Sequence, residues 1–153
     1  METKKIEPMQ VLCFETETTM QDMLQYVRVV AHRIYKDAVK HELEITGPVY
    51  WIYKGADGQP TTKFSLTIAV PVSKTKTEIT GSEFKLKQLD SFDCISHTHF
   101  GDWSKLGETY GPIIGDVQWR NLTMSGENRE IYLNMDFENL EANITEVQIG
   151  IVV

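Results

Sequence analysis

The stretch REIYL, residues 129–133, decides the fold when it is set beside YWIY, residues 50–53. Both stretches combine aromatic and β-branched residues and predict β-strands. When their shared Ile-Tyr pairs are aligned, Glu130 takes the place of Trp51. A carboxylate inside a strand loses its hydration on burial, which is costly unless a partner or a ligand compensates it. The two stretches therefore predict an acid that faces aromatic rings in a ligand pocket.

The sequence around these stretches repeats one order of predicted elements, β-α-β-β, which indicates an internal duplication. The first copy has a strand at 9–17, a helical region from 20 to about 43, and strands at 49–54 and 64–72. After a polar connection at 73–82, the second copy has a strand at 84–98, a helical region from 102 to about 119, and strands at 129–136 and 144–152. We therefore predict a single α+β domain, residues 1–153, with repeat one at about 9–72 and repeat two at about 84–152.

The two helical regions differ in quality. Apolar residues recur at helical spacing from Met20 to Ala38 and predict one continuous first helix. The second region contains three glycines and a proline, which lower its helix propensity. We predict Asp102 as its N-cap and a break near Gly111-Pro112.

Composition limits the classes of function. The chain has 153 residues, 41% of them hydrophobic, which suits one globular domain. Its net charge of -7 and the lack of a basic stripe argue against direct nucleic-acid binding. No apolar run is long enough to predict a membrane span or a signal peptide, so the expected location is the cytoplasm. Cys13 and Cys94 lie far apart in sequence and are predicted to be buried free thiols.

The alternation of side chains along strands places Trp51 and Tyr53 on one face, and Glu130 and Tyr132 on the matching face of the other copy. We expect these side chains to converge near the pseudo-twofold axis between the copies. Rings and a carboxylate around one cavity hold organic cations, each ring contributing roughly 0.5 to 2 kcal/mol. The candidate ligand-binding residues are Trp51, Tyr53, Trp103, Tyr110, Glu130, Tyr132 and Glu146.

The same residues also allow other interpretations. The rings are alternatively ordinary core, and Glu130 alternatively forms a salt bridge with Arg129 or Lys63. Solvent exposure competes with pocket lining at Glu146.

Two histidines on one predicted strand have a spacing that can bind a metal ion. His97 and His99 point the same way because they alternate along the strand. Asp93 and Asp102 do not clearly complete a ligand set at metal spacing. We assign no metal and no cofactor, and we expect a histidine here to hydrogen-bond within the fold.

Five segments carry a resemblance to a known family. They are GPVYWIY at 47–53, IAVPV at 68–72, HTHFGDW at 97–103, REIYL at 129–133 and TEVQI at 145–149. In this order and spacing they resemble the GyrI-like family, also known as the effector-binding domain of AraC-type and MerR-type transcription regulators. The resemblance covers the chain from about residue 9 to 152.

The resemblance implies a fold and a site. It implies two β-α-β-β units related by pseudo-twofold symmetry, with two helices on a mostly antiparallel sheet. The ligand groove would lie between the units. The glutamate matching Glu130 would be the central acid that recognises lipophilic cations beside aromatic side chains, and His99 would be structural.

This chain departs from the family pattern at two places. The familiar His-x-Gly-Pro-Tyr stretch is HFGDW at 99–103, so Trp103 replaces the tyrosine, and Gly150 replaces the proline of the last strand. Both departures predict a pocket of different shape. Only about eight residues precede the first predicted strand, so we expect a stand-alone module without a helix-turn-helix.

Three functions follow from these observations. The first is binding of a lipophilic, cationic or aromatic small molecule at Glu130. The second, implied by the resemblance, is hydrolysis of reactive small molecules, because a desolvated carboxyl group is a natural general acid or base. The third is a gyrase-inhibitor-like interaction factor, in which a substitution of Glu130 would have no consequence. A separate regulator and a homodimer both stay open as partners.

Overall fold

One antiparallel sheet of eight strands forms the body of the protein in a computed structural model that describes residues 1–74, 76 and 78–153. Residues 75 and 77, in the connection predicted at 73–82, lie outside the described part. The strand order is β1-β6-β8-β7-β3-β4-β2-β5. The strands are β1 Glu2–Ile6, β2 Met9–Thr18, β3 Tyr50–Lys54, β4 Phe64–Pro71, β5 Lys85–Leu89, β6 Phe92–Phe100, β7 Thr123–Asn134 and β8 Ile144–Val152, and the helices are α1 Val30–Lys40 and α2 Gly107–Trp119.

Both helices pack on the same face of the sheet. Trp51 of β3 lies opposite Glu130 of β7, and Glu130 lies opposite Val147 of β8, so the three side chains share one face. Trp51 belongs to the apolar cluster that includes Ile34 of α1. Val147 belongs to the cluster that includes Ile113 of α2. The fold is therefore α+β, with two helices on one antiparallel sheet, as predicted.

The face without helices is also buried, because the sheet curves around it. β5 and β6 stand six positions apart in the strand order, yet only Asp90 and Ser91 join them. Six strand spacings in a flat sheet are about 29 Å. Three consecutive Cα–Cα steps reach about 11 Å. The sheet must therefore curl, and Cys13, Ile52 and Ala69 on its helix-free face are almost fully buried.

The prediction of one strand at 84–98 is wrong, because this stretch forms two strands, β5 and β6, that lie far apart in the strand order. β5 pairs with β2, whereas β6 pairs with β1 and β8. The Asp90-Ser91 pair was an available turn signal inside an otherwise strand-like stretch. The sequence analysis also missed β1, whose charged residues hid an edge strand.

The first helix is shorter than predicted. A 3-10 helix at Met23–Tyr26 precedes α1, and Arg28 between them has a φ of 67°. A residue in this left-handed region cannot continue a right-handed helix. Met20 and Val27 nevertheless pack against the core. The spacing of the apolar residues therefore indicated burial and not a continuous helix.

The predicted break at Gly111-Pro112 is also wrong. α2 runs through Pro112 without interruption. Its buried residues Thr109, Ile113 and Val117 recur every four positions and hold the helix against the sheet, which overrides the low intrinsic propensity. The prediction that Asp102 caps the second helix is wrong for α2, whose N-cap is Leu106. Asp102 instead caps the short 3-10 helix Trp103–Lys105, where it accepts a hydrogen bond from the Ser104 backbone N–H.

Two smaller predictions concern the cysteines and the membrane. Cys13 and Cys94 are both buried and free, as predicted. Burial is the main reason why the pKa of each thiol is raised to about 11. Across the described ranges, no helix has the length and apolar character needed to cross a membrane.

Candidate functional site

The centre of the helix-bearing face is the junction of β3 and β7. Here the register sets Trp51 directly opposite Glu130. The residues are cross-strand neighbours on one face, so the ring and the carboxylate lie in the same layer between the sheet and the helices. Glu130 is 6% exposed and Trp51 is 7% exposed. The acid thus lies beside an aromatic ring at this position, whereas the ligand pocket around it stays a prediction.

Three tyrosines hold the carboxylate of Glu130. Tyr53 of β3 donates to Oε1 at 3.0 Å, and Tyr132 of β7 donates to the same oxygen at 2.5 Å. Tyr110 of α2 donates to Oε2 at 2.5 Å. Desolvation first and the charge of Glu130 second raise the pKa of all three phenols well above the usual value of 10. The phenols therefore stay protonated and remain donors.

Glu130 has no cationic partner within the described part of the chain. Its sequence neighbour Arg129 points to the other face of the sheet. There the Arg129 Nε donates to Glu127 at 2.7 Å, and its guanidinium lies 3.9 Å from the ring centroid of Phe92. The alternative of a salt bridge to Arg129 or Lys63 is therefore wrong. The negative charge of Glu130 is held by hydrogen bonds alone.

Further rings extend the site outward from Tyr132. The centroid of Tyr132 lies 6.4 Å from that of Trp51 and 6.0 Å from that of Trp103, and both pairs are edge-to-face. Trp103 is fixed by a 3.1 Å hydrogen bond from its Nε1 to Thr145 Oγ1 and contacts Phe137 at 5.0 Å. The sequence analysis missed Phe137, which lies in a loop after β7 where no periodicity marks it.

Glu146 does not join this cluster. It lies opposite Ile131 in the β7–β8 register, so its side chain points to the helix-free face. Its Oε2 accepts hydrogen bonds from Gln148 at 2.7 Å, Ser96 at 2.8 Å and Lys4 at 3.0 Å. Although desolvation opposes ionisation, these bonds and the charge of Lys4 lower the pKa of Glu146.

The expectation that Glu146 converges with Glu130 is therefore wrong. The two residues were correctly assigned to strands, but the pairing register of β7 with β8 decides which faces coincide. The remaining six candidate residues do come together on the helix-bearing face, around the Glu130 carboxylate.

His99 is part of the fold. Its Nδ1 lies 2.8 Å from the Thr109 hydroxyl and its Nε2 lies 2.8 Å from the Asp102 carbonyl, so it joins β6 to the start of α2. Its neighbour His97 is exposed. In the part of the chain that the structure describes, no three or more His, Cys, Asp or Glu side chains are placed to bind a metal ion.

The acid at the centre of the site, Glu130, is buried together with Trp51 and Tyr53. A depression of about 500 Å³ lies elsewhere, between the end of β3 and the β5–β6 turn, where Lys54, Phe92 and Glu127 are among its lining residues. It brings together neither the rings of the aromatic cluster nor Glu130. We therefore choose the buried acid among phenols as the candidate site, because it groups a carboxylate with rings and the depression does not.

Gly150, the second departure from the family pattern, has a steric reason. The backbone of β7 is irregular between Met124 and Asn128 and folds over Gly150. A Cβ at Gly150 would lie 2.5 Å from the Glu127 carbonyl oxygen and 2.7 Å from Phe92 Cε1. Only glycine fits under this bulge.

The fold defines the architectural class of the protein, an α+β domain with two helices on one antiparallel sheet. The chain belongs to the GyrI-like family, since the model of the GyrI-like small molecule binding domain matches residues 1–152. Comparison with curated proteins finds no match.

Several solved structures share the fold. The C-terminal domain of EcmrR is 15% identical with a TM-score of 0.76, and the match covers 99% of this chain and 96% of that one. EcmrR in a DNA complex is 16% identical with a TM-score of 0.75, and there the match covers 98% of this chain but only 56% of that one. This chain thus spans little more than half of that protein.

Two other similar structures differ in what their names describe. SAV2435 bound to tetraphenylphosphonium is 15% identical, with a TM-score of 0.67 over 99% of this chain and 93% of that one. A hydrolase from Listeria innocua is 14% identical, with a TM-score of 0.70 over 99% of this chain and 91% of that one. At these identities the likeness shows the fold alone.

Proposed function

We propose that this protein binds lipophilic organic cations, with Glu130 as the central acid and Trp51, Trp103 and Tyr132 as aromatic walls. The observation that carries the proposal is a carboxylate that is 6% exposed and has no cation beside it in the described residues. A buried charge without an opposite charge costs free energy. A bound cation would compensate that charge, so the site is built for a partner that the chain does not itself supply.

The three phenols favour an organic cation over a hydrated metal ion. Each phenol donates a hydrogen bond to Glu130. The carboxylate oxygens, which a metal ion would need as ligands, are therefore already engaged. A diffuse organic charge needs less direct coordination and gains from ring faces instead. Carboxylate and rings together therefore select for charge that is spread over an apolar body.

Binding requires the site to open. Glu130 and Tyr53 are buried, whereas Trp103, Tyr110 and Tyr132 are only half-buried. The half-buried rings are the ones that can rotate outward at the least cost. SAV2435, which shares the fold, is bound to tetraphenylphosphonium, a cation with four phenyl groups. A ligand of this size supports the proposal that the rings part to admit a large cation.

The proposal is tested by titrating tetraphenylphosphonium and the neutral triphenylphosphine oxide against the wild type and Glu130→Gln. Tryptophan fluorescence reports binding best in a Trp119→Phe background, because Trp119 is 82% exposed and lies outside the cluster. We expect the Gln variant to bind the cation about 5- to 150-fold more weakly, which corresponds to about 1 to 3 kcal/mol. Binding of the neutral compound should change far less.

Glu146→Gln is the matched control, since it removes a second glutamate from the other face. It should leave both ligands unaffected. An equal loss for the cation and the neutral compound in Glu130→Gln would refute charge recognition, and so would a wild type without saturable cation binding.

Hydrolysis of reactive small molecules is the second candidate function. It is favoured by the contact of Glu130 with three protonated phenols, which offers an acceptor and proton donors within one cluster. The name of the similar Listeria innocua hydrolase supports it only as an analogy of fold. Mass spectrometry of each titration mixture over hours separates the functions, since conversion that stops in Glu130→Gln would indicate turnover.

The two halves of the chain are, in our interpretation, copies of one unit. Exchanging β1–β4 for β5–β8 in the strand order gives the same order reversed, which supports this interpretation. The unit would then begin with the additional strands β1 and β5.

We also propose that the protein passes on the binding of a ligand to a partner, either a separate regulator or a second copy of this chain. This proposal is an analogy with the DNA complex of the similar EcmrR.

A further inference from the structure

The outer end of the aromatic cluster carries a cation of the protein itself. The guanidinium of Arg28 lies 4.2 Å from the ring centroid of Phe137. Phe137 contacts Trp103 at 5.0 Å, and Trp103 contacts Tyr132 at 6.0 Å. Tyr132 in turn donates a hydrogen bond to Glu130. An unbroken line of rings therefore leads from an exposed positive charge to a buried negative one.

Arg28 is held against this ring without an acidic partner. It is exposed and forms no ion pair with any described residue. Its φ of 67° places a non-glycine residue in the left-handed region, which is unfavourable for an L-residue. The cation–π contact with Phe137 is thus the interaction that Arg28 gains in this position.

The loop that carries Phe137 is fixed independently of Arg28. The Asp136 backbone N–H donates to Asn143 Oδ1 at 2.6 Å. The Asp136 carboxylate accepts from the backbone N–H groups of Glu138 at 2.9 Å and Asn139 at 2.8 Å. Phe137 would therefore keep its position if the guanidinium moved away and another cation took its place.

Arg28 and Phe137 belong to different segments of the chain. Arg28 lies just before α1, and Phe137 follows β7 in the second half of the chain. Their contact joins the segment before α1 to the loop after β7, at the exposed end of the line of rings. The contact can break without exposing core, because Arg28 is exposed and Phe137 is only half-buried.

We propose that the ring faces of Phe137 and Trp103 form an outer cation subsite, which Arg28 fills in the closed protein and which the cationic group of a ligand takes over on its way to Glu130. The inference rests on the proposed function, because it assigns an entry step to the same ligands. The exchange replaces one cation–π contact by another. Arg28 acts as an internal competitor that disfavours neutral compounds and weak cations.

The test compares Arg28→Asn with wild type in the tetraphenylphosphonium titration. Asparagine removes the charge and tolerates a positive φ. We expect the variant to bind the cation about two- to fivefold more tightly and to associate faster, because an exposed cation–π contact is worth about that factor. Arg28→Gly provides a second variant, which relaxes the backbone and should act in the same direction.

Lys36→Gln is the matched control, because Lys36 is an exposed cation on α1 that has neither a cation–π contact nor an ion pair among the described residues. It makes the same change in net charge and should leave affinity within about 1.5-fold, since distant surface charges are screened at physiological salt. Phe137→Leu should weaken cation binding, and Arg28→Asn should have no further effect in that background.

The outcomes separate this inference from the proposed function. If the wild type binds the cation in a Glu130-dependent manner but Arg28→Asn behaves like Lys36→Gln, the outer subsite is refuted and the proposed function stands. Weaker binding by Arg28→Asn, or an equal gain in the Phe137→Leu background, also refutes it. A wild type that binds no cation removes both.

Discussion

One face of the sheet holds the buried Glu130 and the other holds the half-buried Glu146, and the charges of these two glutamates are balanced differently. Glu130, on the helix-bearing face of β7, accepts hydrogen bonds from three phenols and has no cation beside it in the described residues. Glu146, on the helix-free face of the neighbouring strand, accepts from a lysine, a hydroxyl and an amide.

The difference teaches how a binding site is recognised from its electrostatics. The charge of Glu146 is balanced within the fold by Lys4 at 3.0 Å, so this carboxylate has a structural role. The charge of Glu130 is stabilised only by neutral donors, so it keeps its attraction for an external cation. One sheet thus contains a structural carboxylate and a carboxylate suited to binding.

The largest expected effect tests whether the helix-free face is filled. Gly150→Ala should lower the free energy of unfolding by about 3 kcal/mol, because its Cβ would overlap the β7 bulge and Phe92. Denaturant unfolding measures the change. Gly115→Ala in α2 is the control, since nothing lies within 4 Å of its Cβ position, and it should stabilise by about 0.5 to 1 kcal/mol. A tolerated alanine at 150 would mean that this face has free space.

The next effect contrasts the two glutamates directly. Glu146→Gln should lower the free energy of unfolding by about 1 to 2 kcal/mol, because Lys4 loses its nearer carboxylate and keeps only the longer contact with Glu2 at 3.7 Å. Glu130→Gln should leave stability unchanged or raise it by up to about 1 kcal/mol, because it removes a buried charge that no cation balances. The same unfolding experiment measures both. Equal destabilisation by the two variants would contradict the distinction between the faces.

The smallest effect is a pH dependence at Glu146. Its pKa is lowered in the folded protein from the ordinary value of 4.5, so above that pH its ionised form contributes stability. This contribution is lost as the pH falls through the lowered value, because the folded protein must then take up the proton. Unfolding followed from pH 7 to pH 3 should show the gap between wild type and Glu146→Gln closing on acidification. A constant gap would mean that the carboxylate charge is irrelevant.

Much of the acid site could be predicted because its arrangement is local. Trp51 and Tyr53 share a face, as do Glu130 and Tyr132, since side chains alternate along every strand. The pairing of β3 with β7 joins these two faces, as the alignment of the Ile-Tyr pairs led us to expect. The placement of Tyr110 on α2, within reach of Glu130, agrees with the same expectation.

Other features could not be predicted because they depend on long-range pairing. The β7–β8 register turned Glu146 away from the site, and no local pattern reports a register between strands. The split at Asp90-Ser91 follows from the curl of the sheet, which places β5 and β6 on different neighbours. Phe137 and Arg28 sit in irregular segments, where spacing carries no signal.

The sequence by itself determined that strands would carry an acid among aromatic rings, because the two-residue period of a strand is a property of the chain alone. Only the tertiary structure decided that Glu130 would have three phenol donors and no cation among the described residues, while Glu146 received Lys4 from the edge strand β1. The physical reason is that charge compensation depends on which distant segments meet, and that is set by strand pairing and by the curvature of the sheet.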